Sequence, residues 1–194
     1  SYSVTGVQTC ALPIWLMAAA FIDGVQGEGV GTSLKHFAVN NQEYHRLVVD
    51  AIVDERTLRE IYLSAFETAV TKSRPWTVMC SYNRVNGVHA SDNAWLLRDV
   101  LRNEWGHEGL IVTDWGAMND RVASLEAGLD LEMPGNRGRS DGILVGAVRE
   151  GRLPEKRIDE AAGRILSVIE RARATPRSSG YDRDGHHGLA CRAA

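Results

Sequence analysis

Residues 109 to 118 read GLIVTDWGAM. Leu110, Ile111 and Val112 form an uninterrupted apolar run, which predicts a buried strand over Leu110–Asp114. That strand delivers Asp114 directly onto a Trp-Gly-Ala turn. A carboxylate at the end of a core strand has two uses. It can cap the helix that follows, or it can stand at the mouth of a barrel and do chemistry.

The elements on either side favour a barrel. Upstream, a helix is expected over Trp15–Gln26, a strand over Gly31–Ala38, and a helix from an Asp54 cap to about Lys72. Along that helix Leu58, Ile61, Tyr62, Ala65, Phe66 and Ala69 recur at helical spacing and predict one apolar face. A strand over Thr77–Tyr82 follows, then a helix capped by Ser91 or Asp92 and running to Trp105. Downstream come a helix over Met118–Glu126 ended by Gly128, a short strand over Leu129–Met133, and a helix over Asp141–Glu150. A last helix is opened by Pro154 and runs to about Ala172. Strands separated by helices pair in parallel through crossovers, as a doubly wound sheet or a (β/α) barrel. The chain has neither GxGxxG nor GxxxxGK[ST], which lowers the case for a nucleotide-binding sheet. Polar residues also gather where successive strands end: Lys35 and His36, Tyr82 and Asn83, Asp114 and Trp115, and Glu132. Strand C-termini are where barrels build their active sites. The fold expected is therefore α/β, a partial (β/α)8 TIM-type barrel, with about four of the eight units present.

Length and composition set the outer limits. The chain has 194 residues, 44% of them hydrophobic and 24% charged, with a net charge of -3. Those values suit one globular domain or part of a larger one, with no broad basic surface for nucleic acid or membranes. No apolar stretch approaches the roughly 20 residues that span a bilayer. Cys10, Cys80 and Cys191 lack the spacing of a disulfide framework or a zinc site. Both ends differ from the middle. Val4 to Ile14, VTGVQTCALPI, reads like a translated sequencing adapter, so residues 1–14 are expected to be non-native. Residues 15–176 are expected to be the partial barrel, and residues 177–194 a linker and the truncated start of a second domain. Compartment and oligomeric state are left open.

Five strings carry a resemblance: KHFAVNNQEYHR (35–46), TLREIYL (57–63), VMCSYNRVNG (78–87), GLIVTDWGA (109–117) and AGLDLEMPG (127–135). In this order they resemble glycoside hydrolase family 3, and its bacterial β-glucosidases in particular. The likeness runs from about Trp15 to the end, where DGHHGLACRAA resembles the start of that family's second domain. It implies a retaining β-glycosidase that takes a small-molecule β-glycoside and needs no metal or organic cofactor. It places the nucleophile on Asp114, sugar-hydroxyl contacts on Lys35, His36 and Arg46, and the glycone pocket wall on Met79 and Tyr82.

The chemistry agrees with that assignment. Retaining hydrolases use two carboxyl groups about 5–5.5 Å apart, one attacking the anomeric carbon and one protonating the departing oxygen. Cations such as Lys35 and Arg46 suit a carboxylate and sugar hydroxyls, and Trp115 offers an aromatic wall for a C–H face of the ring. Glu132 reads as structural. The second carboxyl group is expected outside this chain. The glucosaminidase branch reads roughly KHFPGHG and carries its proton donor on the next loop, whereas this chain reads KHFAVNN. The 194 residues alone are thus expected to be inactive, and a half-barrel with unpaired edges is expected to be poorly soluble. Two rival readings are a Schiff-base aldolase using Lys35 and a non-catalytic sugar-binding remnant. Glucose, xylose and galactose are not separated by the sequence.

Overall fold

The computed structural model describes residues 4–175, 180 and 182–193, and the side chains from Trp15 onward. Residues 1–3 of the expected non-native stretch, and 177–179, 181 and 194 of the expected linker and second-domain start, lie outside the described residues.

Three parallel strands form the centre: β1 (Ser33–Phe37), β3 (Thr77–Cys80) and β6 (Leu110–Thr113), in the order β1-β3-β6. The register sets Leu34 against Val78 and Val78 against Ile111, with an irregularity in β1 between Leu34 and Phe37. β6 is buried along its whole length, as its unbroken apolar run requires of a strand covered on both faces. Leu131 extends the sheet through one parallel bridge to Val112. The strand expected over Leu129–Met133 is thus reduced to a single pairing. A side chain accounts for this, because Asp130 Oδ2 takes the Ile111 N–H at 2.7 Å.

Helices fill the crossovers. α1 (Val4–Gly27) is longer than expected and runs back through the stretch read as non-native. Its Gln26 side chain fastens it to the start of the sheet, donating to Ser73 O at 3.2 Å and accepting from Thr32 Oγ1 and the Trp76 N–H, both at 2.9 Å. Asp54 caps the next helix as expected, accepting from the Thr57 N–H at 3.0 Å. That helix has three parts: α2 (Glu55–Thr57), a π-helical stretch Leu58–Leu63, and α3 (Ser64–Ser73). The π stretch corrects the expected apolar face. With bonds to i+5, Leu58 and Leu63 share the buried line, while Ile61 is turned out and 47% exposed.

The helix before β6, Trp95–Glu104, is also π-helical, and its cap is neither Ser91 nor Asp92. Asn93 Oδ1 accepts from the Leu96 N–H at 3.0 Å. Asp92 is occupied elsewhere, accepting from Ser124 Oγ and from Asn119 Nδ2 at 2.9 Å. α4 (Arg121–Ala127) starts later than expected because Asp120 caps it, accepting from Val122 and Ala123 N–H at 2.9 Å. It ends on Gly128 at φ 106°, a left-handed position that a side chain resists. α5 (Asp141–Arg149) and α6 (Glu155–Ala174) match expectation closely, with Pro154 as the cap of α6. α7 (Arg183–Ala193) completes the described elements.

A small second sheet departs from the expected element order. β2 (Asp50–Ala51) pairs in parallel with β4 (Arg84–Val85), which forms a hairpin with β5 (Val88–His89). Its Asn86-Gly87 turn has positive φ at both residues, 50° and 90°, the backbone that tight hairpins demand.

The main core lies between the sheet and its helices, around Phe37, Val78, Leu96, Leu97, Leu101 and Ile111. A smaller one joins α4, α5 and α6 through Leu125, Ala147, Leu153 and Ala161. α6 passes beneath the N-terminal ends of the strands. Arg164 reaches Asp130 at 2.9 Å, Arg171 lies 4.5 Å over the Trp76 ring, and Thr175 Oγ1 donates to Gly29 O at 3.1 Å. No helix among the described residues is long and apolar enough to cross a membrane.

Candidate active site

Asp114 follows the last residue of β6 and settles the first alternative by geometry. The helix after it is capped by Asp120, so Asp114 is not a helix cap. Its side chain is 12% exposed and both oxygens are engaged. Oδ1 accepts from Tyr82 OH at 3.0 Å and from its neighbour's backbone, Trp115 N–H, at 2.6 Å. Oδ2 lies 3.1 Å from His36 Nε2.

Each partner arrives from the end of a different parallel strand. His36 belongs to β1, and Tyr82 stands two residues beyond β3. Two ties hold the β1 end against the β3 end: Ser81 Oγ donates to Ala38 O at 2.8 Å, and Asn83 Nδ2 donates to the same carbonyl at 3.3 Å. At the next junction, Thr113 Oγ1 accepts from Met133 N–H at 2.8 Å and Gly116 N–H donates to Met133 O at 2.9 Å. The strand-end loops are therefore cross-linked around the carboxylate, and Val39 is held at φ 63°, a conformation that costs a β-branched residue energy.

The Tyr82 hydroxyl lies equally near Trp115 O, at 3.0 Å, and its single hydrogen is shared between the two acceptors. Burial, then its bond to the Asp114 carboxylate, raises its pKa above the usual tyrosine value, so it stays a donor at neutral pH. Over the Tyr82 ring, at 4.3 Å, sits the Arg46 guanidinium. Arg46 is also paired with Glu43 at 2.8 Å, the main cause of its raised pKa.

The sequence-derived residues divide accordingly. His36, Tyr82, Asp114, Trp115 and Arg46 form one connected group. Lys35 is exposed and makes no ion pair among the described residues, and Met79 is half-buried on β3. Trp115 is 55% exposed and lies open beside the carboxylate. Glu132 lies 3.1 Å from Asn136 Nδ2 and 3.8 Å from Arg121 Nε. Sequence reasoning did not single out Glu43, Ser81 or Thr113 as parts of the site. Only the polar SYN string after an apolar strand signalled any of them. The local chemistry is a carboxylate with one oxygen fixed by a hydroxyl and a backbone amide and the other beside an imidazole.

Residues 13–168 match the family described as glycosyl hydrolase family 3 N terminal domain. The chain belongs to glycosyl hydrolase family 3. Thermostable beta-glucosidase B of Acetivibrio thermocellus is 56% identical over 179 residues, 92% of this chain and 24% of that protein. An exo-alpha-(1->6)-L-arabinopyranosidase of Bifidobacterium breve is 52% identical over 91% of this chain and 23% of its own length. Among solved structures, the family 3 beta-glucosidase of Bifidobacterium adolescentis superposes with a TM-score of 0.84 at 50% identity, covering 89% of this chain and 26% of that one. Beta-glucosidase 3B of Thermotoga neapolitana, in complex with glucose, also gives 0.84, at 45% identity over 91% of this chain and 26% of that one. The chain thus spans about a quarter of the length of these relatives.

Proposed function

We propose that these residues carry the nucleophile side of a retaining β-glycosidase site, and that the protein they represent hydrolyses terminal β-D-glucosyl residues. The observation that carries this reading is the setting of Asp114: a strand-end carboxylate, released from capping, with Oδ1 held by two donors. Among the described residues Oδ2 has His36 alone beside it, and it is the oxygen assigned to attack the anomeric carbon. Fixing one oxygen orients the other, so less entropy is lost on reaching the attacking geometry. Lys35, His36 and Arg46 are assigned to sugar hydroxyls, Met79 and Tyr82 to the glycone wall, and Trp115 to a C–H face of the sugar. A substrate would have to compete with the Glu43 pair for Arg46.

The fold reading that accompanies this is the C-terminal half of a (β/α)8 barrel over residues 15–176. The parallel order of β1, β3, β6 and Leu131 supports it, as does the gathering of polar groups at one end of all four. Residues 1–14 are kept as non-native and 177–194 as linker and second-domain start. The general acid is assigned to the part of the relatives' length that this chain does not span, so the 194 residues alone should not turn over ordinary glucosides. The similarity to both a beta-glucosidase and an arabinopyranosidase keeps glycone preference a matter for assay. The aldolase reading is weakened by Lys35, which is exposed where a Schiff-base amine needs a desolvated pocket.

The test is the intact mass of the chain after incubation with a 2-deoxy-2-fluoro-glucosyl donor whose leaving group departs without acid assistance. One glycosyl adduct mapped to Asp114 supports the proposal. A folded chain that gains no adduct, or gains it at another carboxylate, sinks the assignment of Asp114.

A further inference from the structure

At the opposite ends of the strands from Asp114, a cavity of about 390 Å³ opens between α6, the end of α3 and residues 106–109. Its volume falls in the range of small-molecule sites, roughly 300–1,000 Å³. Arg74, Arg164 and Arg171 line it, and Glu108 is the one carboxylate among its lining residues. Arg164 is committed to Asp130 at 2.9 Å, whereas Arg74 and Arg171 form no ion pair among the described residues. Two further lining residues, Trp76 and His107, are 6% and 4% exposed and form its floor. Arg74 and Arg171 therefore bring two cations without a carboxylate partner to one cavity, with the Trp76 ring beneath Arg171 at 4.5 Å.

We infer that this cavity binds a compact oxyanion with at least two acidic oxygens, of phosphate or dicarboxylate type, held chiefly by Arg74 and Arg171. Planar guanidiniums meet such oxygens two at a time, which gives geometry as well as charge. The site is separate from the Asp114 group, at the other edge of the sheet, and does not depend on the glycosidase reading.

The experiment is a titration of the ¹⁵N-labelled chain with inorganic phosphate, and separately with malonate, against sodium chloride at matched ionic strength. The indole N–H of Trp76 is the reporter, with the indoles of Trp95 and Trp115 as references. A saturable shift at Trp76 alone is expected, and whichever of the two anions binds more tightly identifies the type. Arg74→Ala and Arg171→Lys should each weaken that binding at least tenfold, while Lys72→Ala, on the exposed side of α3, should leave it unchanged. If phosphate and malonate shift Trp76 no more than chloride does, the inference is overturned. Unchanged binding in folded Arg74→Ala and Arg171→Lys chains overturns it equally. The first titration uses the unsubstituted chain, so it decides between binding and no binding even if a variant does not fold.

Discussion

Two aspartates sixteen positions apart, Asp114 and Asp130, show how placement turns one residue type to different ends. Asp130 sits by the N-terminal ends of the strands with its side chain 1% exposed. It takes Arg102 Nη2 and the Ile111 N–H, both at 2.7 Å, and Arg164 Nη1 at 2.9 Å. Every bond serves to tie β6, the helix before it and α6 together. Asp114 sits at the other end, with a tyrosine hydroxyl, a backbone amide and an imidazole for partners, beside an exposed indole. A carboxylate enclosed by fixed cations is a fastening. One held by a hydroxyl and a backbone amide, with no guanidinium bound to it, suits the proposed role of a nucleophile.

Substitution separates the two aspartates by the largest margin. Asp114→Asn should lower the rate of fluoroglucosyl trapping by three or more orders of magnitude, since the attacking oxygen is lost. Its urea midpoint should stay near that of the parent chain. Asp130→Asn should do the reverse, costing about 3–5 kcal/mol because Arg102 and Arg164 lose their charged partner in a buried place. Trapping per folded molecule should survive that change. Trapping lost in Asp130→Asn at full stability would erase the distinction between the two sites.

Stability at the fastening end depends on pH. Burial, and then the Arg102 guanidinium, lower the His107 pKa from 6.5 to about 4. Between those values the unfolded chain binds the proton and the folded chain does not. The stability is therefore present above pH 6.5 and is lost as pH falls toward 4, by about 3 kcal/mol for the full shift. Urea unfolding at pH 7 and pH 4.5 should show this loss, and His107→Gln should be the less pH-dependent of the two chains. At the other end, Tyr82→Phe removes one donor to Asp114, a charge-assisted bond of about 1.5–3 kcal/mol, or roughly 10- to 100-fold in trapping rate. A trapping rate unchanged in Tyr82→Phe would mean that Trp115 N–H alone orients the carboxylate.

Much of this was legible along the chain. The alternation of strand and helix, the buried run Leu110–Val112 and the Asp54 cap depend on residues close in sequence, where local propensity and short-range hydrogen bonds decide. The grouping of His36, Tyr82 and Asp114 was legible too, because parallel strands present their C-terminal residues at one edge. The places where the pattern failed are those where distant residues intervene. Asp92 does not cap a helix because Ser124 and Asn119 claim it, and Ile61 faces outward because a π turn shifts the buried line to Leu63. The β4–β5 hairpin went unread although Asn-Gly is a hairpin turn pair, and its pairing with β2 required a loop more than thirty positions away. Residue patterns along the chain dictated the main alternation of strands and helices and the carboxylate that ends β6. Tertiary structure alone decided which donors reach each carboxylate, because hydrogen bonds between strand ends depend on distances that no local pattern contains.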